Sequence, residues 1–200
     1  RVNHTLLSGQ VPSELGSCTK LNAAHLRVNQ FASTLPTELG RLTDLQVAYC
    51  NKNPWKGSLP SEIGNQQALQ RFVLVGGSLT GSLPTELGRC PFLVELELYG
   101  NRLSGSLPEE LPVSLTELRL QNNYLTGKIP TTIGTLNNLV ALTLYNNRLT
   151  GTIPWQIESA PRLQELFLDS NRLEGTVPHL RESSILRLRV NNNRLSQNAW

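Results

Sequence analysis

Metal and catalytic chemistry would begin from the histidines, the cysteines and any glycine-rich run, and the spacing of these residues argues against both. His4, His25 and His179 stand far apart in the chain. No two histidines share helical spacing and no Cys-x-x-Cys occurs, so the sequence lacks the arrangements that hold zinc. No serine sits in a nucleophile elbow. The run Gly76-Gly77-Ser78-Leu79-Thr80-Gly81 is rich in glycine, but it lacks the lysine of a phosphate-binding loop. Carboxylate pairs are present, and a pair on a repeat surface is ordinarily solvated. The expectation is a chain with no catalytic residue, no metal ligand and no cofactor.

The glycine run belongs instead to a repeat. Prolines fall at Pro12, Pro36, Pro60, Pro84, Pro108, Pro130, Pro154 and Pro178, so the steps are 24, 24, 24, 24, 22, 24 and 24 residues. A fixed period in this range marks a solenoid. The clearest phrase is LVALTLYNNRLTGTIP, from Leu139 to Pro154. Its Leu142-Thr143-Leu144 alternation favours a short strand with one buried face, and successive strands should lie side by side in a parallel sheet. Asn147 follows where the chain must bend, and a buried amide there can bond backbone groups that the bend leaves unpaired. Asn29, Asn53, Asn101, Asn123, Asn171 and Asn193 occupy the same place, which predicts a ladder of amides. Gly151 suits a bend that a β-carbon would crowd. Past the proline, PTELG at Pro36 and PSEIG at Pro60 hint at a short helix, with proline in the first turn and glycine at the end. One turn alone cannot bury its leucines, so neighbours must cover it.

These residues resemble the plant-type leucine-rich repeat, LxxLxxLxLxxNxLxGxIP, over almost the whole chain. The resemblance implies an α/β repeat solenoid: a curved right-handed superhelix with a parallel β-sheet on the concave face and short 3₁₀ or irregular turns on the convex face. A second short strand around LxGxIP is common in the family. Residues 1–200 are expected to form one such domain of about eight to nine turns, with both ends cut from a longer protein.

Departures from the phrase carry their own expectations. Thr5 stands in the first turn where the asparagine belongs, and Ser33 replaces a glycine. Trp55 takes a leucine place and is expected in the core, beside a bend stiffened by Pro54. Gly77 replaces a ladder asparagine, which predicts a gap in the amide ladder. PEELPVSL after the fifth strand phrase and PHLRESSI after the eighth are short, and both deletions should fall on the convex side without disturbing the sheet register.

Cys18 and Cys90 fall where Leu42 and Leu136 stand in other turns, and Cys50 takes a strand leucine's place, so all three are expected buried and free. Cys18 and Cys90 lie three turns apart, roughly 14 Å at the usual strand spacing, whereas a disulfide needs α-carbons within about 7 Å. No disulfide is expected. Asn3-His4-Thr5 is a glycosylation sequon, which makes Asn3 a candidate acceptor. The formal net charge of +3, with acidic and basic residues intermixed, disfavours nucleic acid as a partner. No apolar run approaches the length of a membrane span, so no membrane contact by this segment is expected.

Recognition is the remaining class. Side chains between the strand leucines should point out onto the concave face, free of repeat constraint. They form three columns. The middle one reads His25, Tyr49, Val73, Glu97, Arg119, Thr143, Phe167, Arg189. The next reads Arg27, Asn51, Val75, Tyr99, Gln121, Tyr145, Asp169, Asn191, and the preceding one Ala23, Val47, Arg71, Glu95, Glu117, Ala141, Glu165, Arg187. Tyr99, Gln121 and Tyr145, flanked by Glu97, Arg119, Phe167 and Asp169, have the composition of a binding hot spot. With Tyr49 and Thr143 they are the candidate ligand-binding residues. The competing expectation is that aromatics on a strand face only pack on one another across rungs. Arg187 and Arg189 either meet an acidic partner or solvate the sheet edge.

By resemblance, the function is recognition of a peptide or protein ligand on the concave face, as in a receptor kinase ectodomain or a secreted polygalacturonase inhibitor, at the cell surface or outside the cell. The alternative is a structural scaffold, an interaction subunit of a larger, intracellular assembly, favoured by free cysteines and a single sequon. Ice binding would require a regular threonine array, and the columns are too mixed.

Overall fold

The strand phrases are too short to be stable alone, and the architecture follows from how they cover one another. The computed structural model describes residues 5–180 and 183–196. Eight strands, Ala23–His25, Val47–Tyr49, Arg71–Val73, Glu95–Glu97, Glu117–Arg119, Ala141–Thr143, Glu165–Phe167 and Arg187–Arg189, pair in parallel in chain order to make one sheet. Alternation puts the central residue of each strand inside. Phe72, Leu96, Leu118, Leu142 and Leu166 have 0% of their surface exposed. Each such side chain contributes about 1.5–3 kcal/mol by leaving water, and none could do so without a rung on either side.

The register holds through both deletions. Ala48 pairs with Phe72, while Leu96 pairs with Leu118 and Leu166 with Leu188 across the shortened turns. The missing residues come out of the convex connections. Six turns carry a 3₁₀ helix there, Ser13–Ser17, Thr37–Arg41, Ser61–Asn65, Thr85–Arg89, Thr131–Thr135 and Trp155–Ser159, whereas the connection after Pro108 carries none. Each helix starts after its proline, as Pro36 (φ −70°) does before Thr37. The glycine of PSEIG has a different purpose from the terminator read in the sequence. A β-carbon at Gly64 would lie 2.5 Å from the carbonyl oxygen of Glu86, and one at Gly134 would clash with that of Gln156, so the residue lets consecutive convex turns approach.

A second hydrogen-bonded line runs along the LxGxIP segments. It forms short parallel strands at Ser8–Gly9 with Gln30–Phe31 and at Glu174–Gly175 with Arg194–Leu195. Between them it continues as two bonds at most steps, in which Ser78, Arg102, Tyr124 and Arg148 N–H donate to the carbonyls of Trp55, Leu79, Leu103 and Leu125, and Thr80, Ser104, Thr126 and Thr150 N–H donate at 2.8 Å to those of Gly57, Gly81, Gly105 and Gly127.

The amide ladder is present. Asn123 Nδ2 donates to the carbonyls of Leu120 (3.0 Å) in its own turn and Leu98 (3.1 Å) in the previous one, while its Oδ1 accepts the N–H of Leu103 (3.0 Å). Asn53, Asn101, Asn147 and Asn171 repeat the pattern. The residue before each asparagine is left-handed: Val28, Lys52, Asn122, Asn146, Ser170 and Asn192 have φ between 52° and 57°, and Gly100 precedes Asn101 at 69°. A β-branched Val28 there is strained.

The gap expected at Gly77 is present, and only the donor role of the missing amide is taken over. The pattern would send an amide from that position to the carbonyl of Cys50, and the indole Nε1 of Trp55 donates to that carbonyl instead, at 2.6 Å. Trp55 is fully buried and stacks on Phe31 at 5.5 Å. A β-carbon at Gly77 would lie 2.8 Å from Asn101 Oδ1, so the glycine also leaves room for the next rung's amide.

Two expectations about cysteine are separated. Cys50 and Cys90 are buried and unpaired, and burial pushes their thiols up to about 12 and about 11, which makes them inert near neutrality. Cys18 is exposed, against the expectation of burial, because no earlier turn among the described residues covers it. Asn3 lies outside the described residues.

If the indole N–H stands in for the missing donor, Trp55→Phe should cost about 1–3 kcal/mol, from a lost buried hydrogen bond and a small cavity. Urea denaturation measures this, and an unchanged midpoint would mean that the indole N–H contributes nothing.

Candidate functional site

The parallel register carries the three outward columns across the concave face unchanged, so Glu97, Arg119, Thr143 and Phe167 stand in one lateral row. At a rung spacing of about 4.8 Å, side chains in such a row touch, and their lengths decide which is exposed. Thr143 is short and pairs in register between the longer Arg119 and Phe167. It is 2% exposed, and its hydroxyl donates to Gln121 Oε1 at 2.6 Å. Gln121 and Asp169 are likewise buried. These three, expected to face a ligand, form the floor of the groove instead. Above that floor Glu97, Tyr99, Arg119, Tyr145 and Phe167 remain half-buried and are brought together over neighbouring rungs.

Tyr49 belongs to a separate cluster. His25 meets its ring edge-on at 5.4 Å and Arg27 lies over it at 5.6 Å. A hydrogen bond from Arg71 to Tyr49, then the negative potentials of Tyr49 and Glu95, hold the Arg71 guanidinium above its ordinary range. For Tyr49, packing between rungs is what the geometry shows.

The charges form a lattice of ion pairs. Arg71 pairs with Glu95 at 3.4 Å. Arg119 sits between Glu97 (3.2 Å) and Glu117 (2.9 Å). Arg187 pairs with Glu165, and Arg189 pairs with Asp169 at 2.9 Å. The two C-terminal arginines are therefore engaged by carboxylates of the preceding rung and are not an open anion site. Arg71–Glu95, Arg119–Glu97 and Arg187–Glu165 are lateral neighbours within one column, whereas Arg189 reaches diagonally to Asp169 in the next column, a pairing the columns alone do not show.

Glu97 is held above the usual carboxylate range, first by burial and then by Glu95 and Glu117, with Arg119 pulling the other way. Burial and the neighbouring Glu97 likewise raise the Tyr99 phenol. Burial works against the charged form of Arg119, but the Glu117 hydrogen bond and the surrounding carboxylates outweigh it and hold the guanidinium up. No group of three or more His, Cys, Asp or Glu among the described residues is arranged to hold a metal ion, and no helix among them is long and apolar enough to cross a membrane.

This geometry is that of a leucine-rich-repeat domain of the plant type, and the comparisons agree. Models described as leucine rich repeat match residues 113–173 and 92–113. The plant peptide hormone receptor RGFR1 in complex with RGF2 superposes with a TM-score of 0.90 at 34% identity, covering 94% of this chain and 31% of that one. The Arabidopsis receptor kinase HAESA, in complex with the peptide hormone IDA and the co-receptor SERK1, gives 0.91 at 33% identity, covering 96% and 33%. This chain thus spans about a third of the length of these receptors. A plant ice-binding protein, at 0.80 and 22% identity, covers 96% of this chain and 63% of that one and shares the fold alone. A comparison with curated proteins finds no match.

The raised carboxyl of Glu97 has a measurable consequence. The folded state binds its proton more tightly than the unfolded chain, so Glu97 opposes folding while ionised, above its raised value. That opposition fades as pH falls through this value towards the ordinary carboxylate range. The difference in stability between Glu97→Gln and the parent should therefore shrink as pH falls through that window. Thermal melts from pH 7 to pH 4 check this, and a constant difference would contradict it.

Proposed function

We propose that this chain is a non-enzymatic recognition module that holds a peptide or protein ligand along its concave face, at the cell surface or outside the cell. The observation that carries the reading is the half-buried array of Tyr99, Tyr145 and Phe167 among Glu97 and Arg119, raised on a floor of Gln121, Thr143 and Asp169. The ladder and the sheet hold the backbone beneath it, so the rings are presented with little ordering cost left to pay on binding. Rigid aromatic anchors beside an arginine are what hot spots use. The similarity to receptors solved with peptide hormones supports the same class of ligand.

Selection from a random peptide library displayed on phage tests this. Peptides enriched on the wild-type chain should bind Tyr99→Ala more weakly by about 1–2 kcal/mol, or roughly five- to thirtyfold. Trp155→Ala serves as the control, because Trp155 is exposed on a convex 3₁₀ turn. Selected peptides that ignore Tyr99 and need Trp155 would move the binding surface to the convex side.

A further inference from the structure

Within the groove, one arginine sits where its surroundings are arranged for a cation. The Arg189 guanidinium carbon lies 5.2 Å from the ring centre of Tyr145 and 5.2 Å from that of Phe167. Its Nη2 donates to Asp169 Oδ2 at 2.9 Å. The side chain thus reaches back from its own strand over the Phe167 and Asp169 rung to the Tyr145 rung. Two aromatic faces converging with a carboxylate is the chemistry by which proteins hold guanidinium and ammonium groups.

Arg189 fills this place incompletely. Asp169 is only 4% exposed, yet its second oxygen, Oδ1, meets no donor among the described residues. A shielded carboxylate oxygen without a donor costs free energy. A guanidinium approaching along the groove can present two parallel N–H groups to a carboxylate, which a single contact from Arg189 does not do. The Arg189 side chain is half exposed, so it is held from one side only. The neighbouring pair, Arg187 with Glu165, ties the same two rungs together with neither an aromatic cradle nor a buried unpaired oxygen, so tying rungs does not require this arrangement.

We propose that Tyr145, Phe167 and Asp169 form a cation subsite of the groove, occupied by Arg189 in the free protein and taken by a guanidinium or ammonium group of the ligand, which displaces Arg189 into solvent. The subsite deepens, and rests on, the reading of the concave face as the binding surface. It specifies a basic residue in the ligand. The three columns as a whole balance, with five arginines and five carboxylates, but the charge is unevenly spread: Glu97 and Glu117 share the single Arg119. A surplus carboxylate beside Tyr99 draws a cationic ligand towards the groove.

The probe is N-acetyl-L-argininamide, with the neutral isostere N-acetyl-L-citrullinamide as its control, each titrated while the Tyr145 and Phe167 ring resonances are followed by NMR. Arg189→Ala vacates the cradle, and this variant should bind the arginine probe about tenfold more tightly than wild type and than it binds the citrulline probe. Arg189→Gln should behave in the same way, which separates an opened subsite from a repacked one. Adding Asp169→Asn to Arg189→Ala should abolish the preference for the arginine probe. Equal binding of the two probes by both Arg189 variants overturns the proposal, as does a preference that survives Asp169→Asn. The probe is a single amino-acid derivative, so this result stands apart from the peptide selection. A cradle indifferent to guanidinium sinks the subsite even where selected peptides require Tyr99.

Discussion

The structure depends on a buried amide that bridges two turns of chain. An asparagine such as Asn147 donates to the carbonyl of Leu144 in its own turn and to that of Leu120 in the turn before, and accepts the N–H of Leu125. Those backbone groups lie at a bend where no sheet can pair them, and leaving them buried and unpaired would cost about 1–3 kcal/mol each. The amide thus removes a penalty that would otherwise fall at every rung, and it fixes the distance between rungs. Leucine burial supplies the driving force, but leucines alone do not set a register. The ladder does, which is why losing two convex residues at two places leaves Leu118 under Leu96 and Leu188 under Leu166.

That division of labour frees the concave face. Stability is carried by the inward leucines, the amides and the close approach of the convex turns, so the outward strand positions are left to vary. Their variation is nonetheless not free of its neighbours. At rung spacing, a threonine beside an arginine and a phenylalanine is buried between them, and an arginine finds the nearest carboxylate on the previous rung. The face becomes a floor of buried polar groups, Gln121, Thr143 and Asp169, under a layer of rings and ion pairs. Recognition has to work through that layer, either by meeting the rings or by exchanging with one of the pairs.

Periodicity made much of this legible in the sequence. The proline spacing, the alternating leucines and the recurring asparagine reach through to the observed strands, their order and the amide ladder, because each depends on residue type at a fixed position. What the sequence hid depends on reach between turns. The gap at Gly77 is visible as a missing asparagine, but its partial repair by Trp55 requires a side chain five residues beyond the carbonyl it bonds to fold back onto it. The glycine in five of the six 3₁₀ turns reads as a helix terminator locally, and only the neighbouring turn shows that it makes room. Cys18 has a core position by pattern but lacks a covering turn among the described residues. Thr143 points outward as alternation demands, yet it is buried between longer residues of the neighbouring rungs and bonded to Gln121. The candidate site was thus readable as a set of columns, and its separation into floor, ion pairs and exposed rings was not.

The central claim is that each rung owes its stability to contacts reaching into its neighbours. Hydrogen exchange of Asn123→Ala, followed amide by amide, tests it most directly. The account predicts faster exchange at the N–H of Leu103, in the turn before, which loses its Asn123 acceptor, spreading to the strands Glu95–Glu97 and Ala141–Thr143 on either side. Loss of protection confined to the mutated turn, with both neighbouring strands exchanging as in the parent, would contradict it.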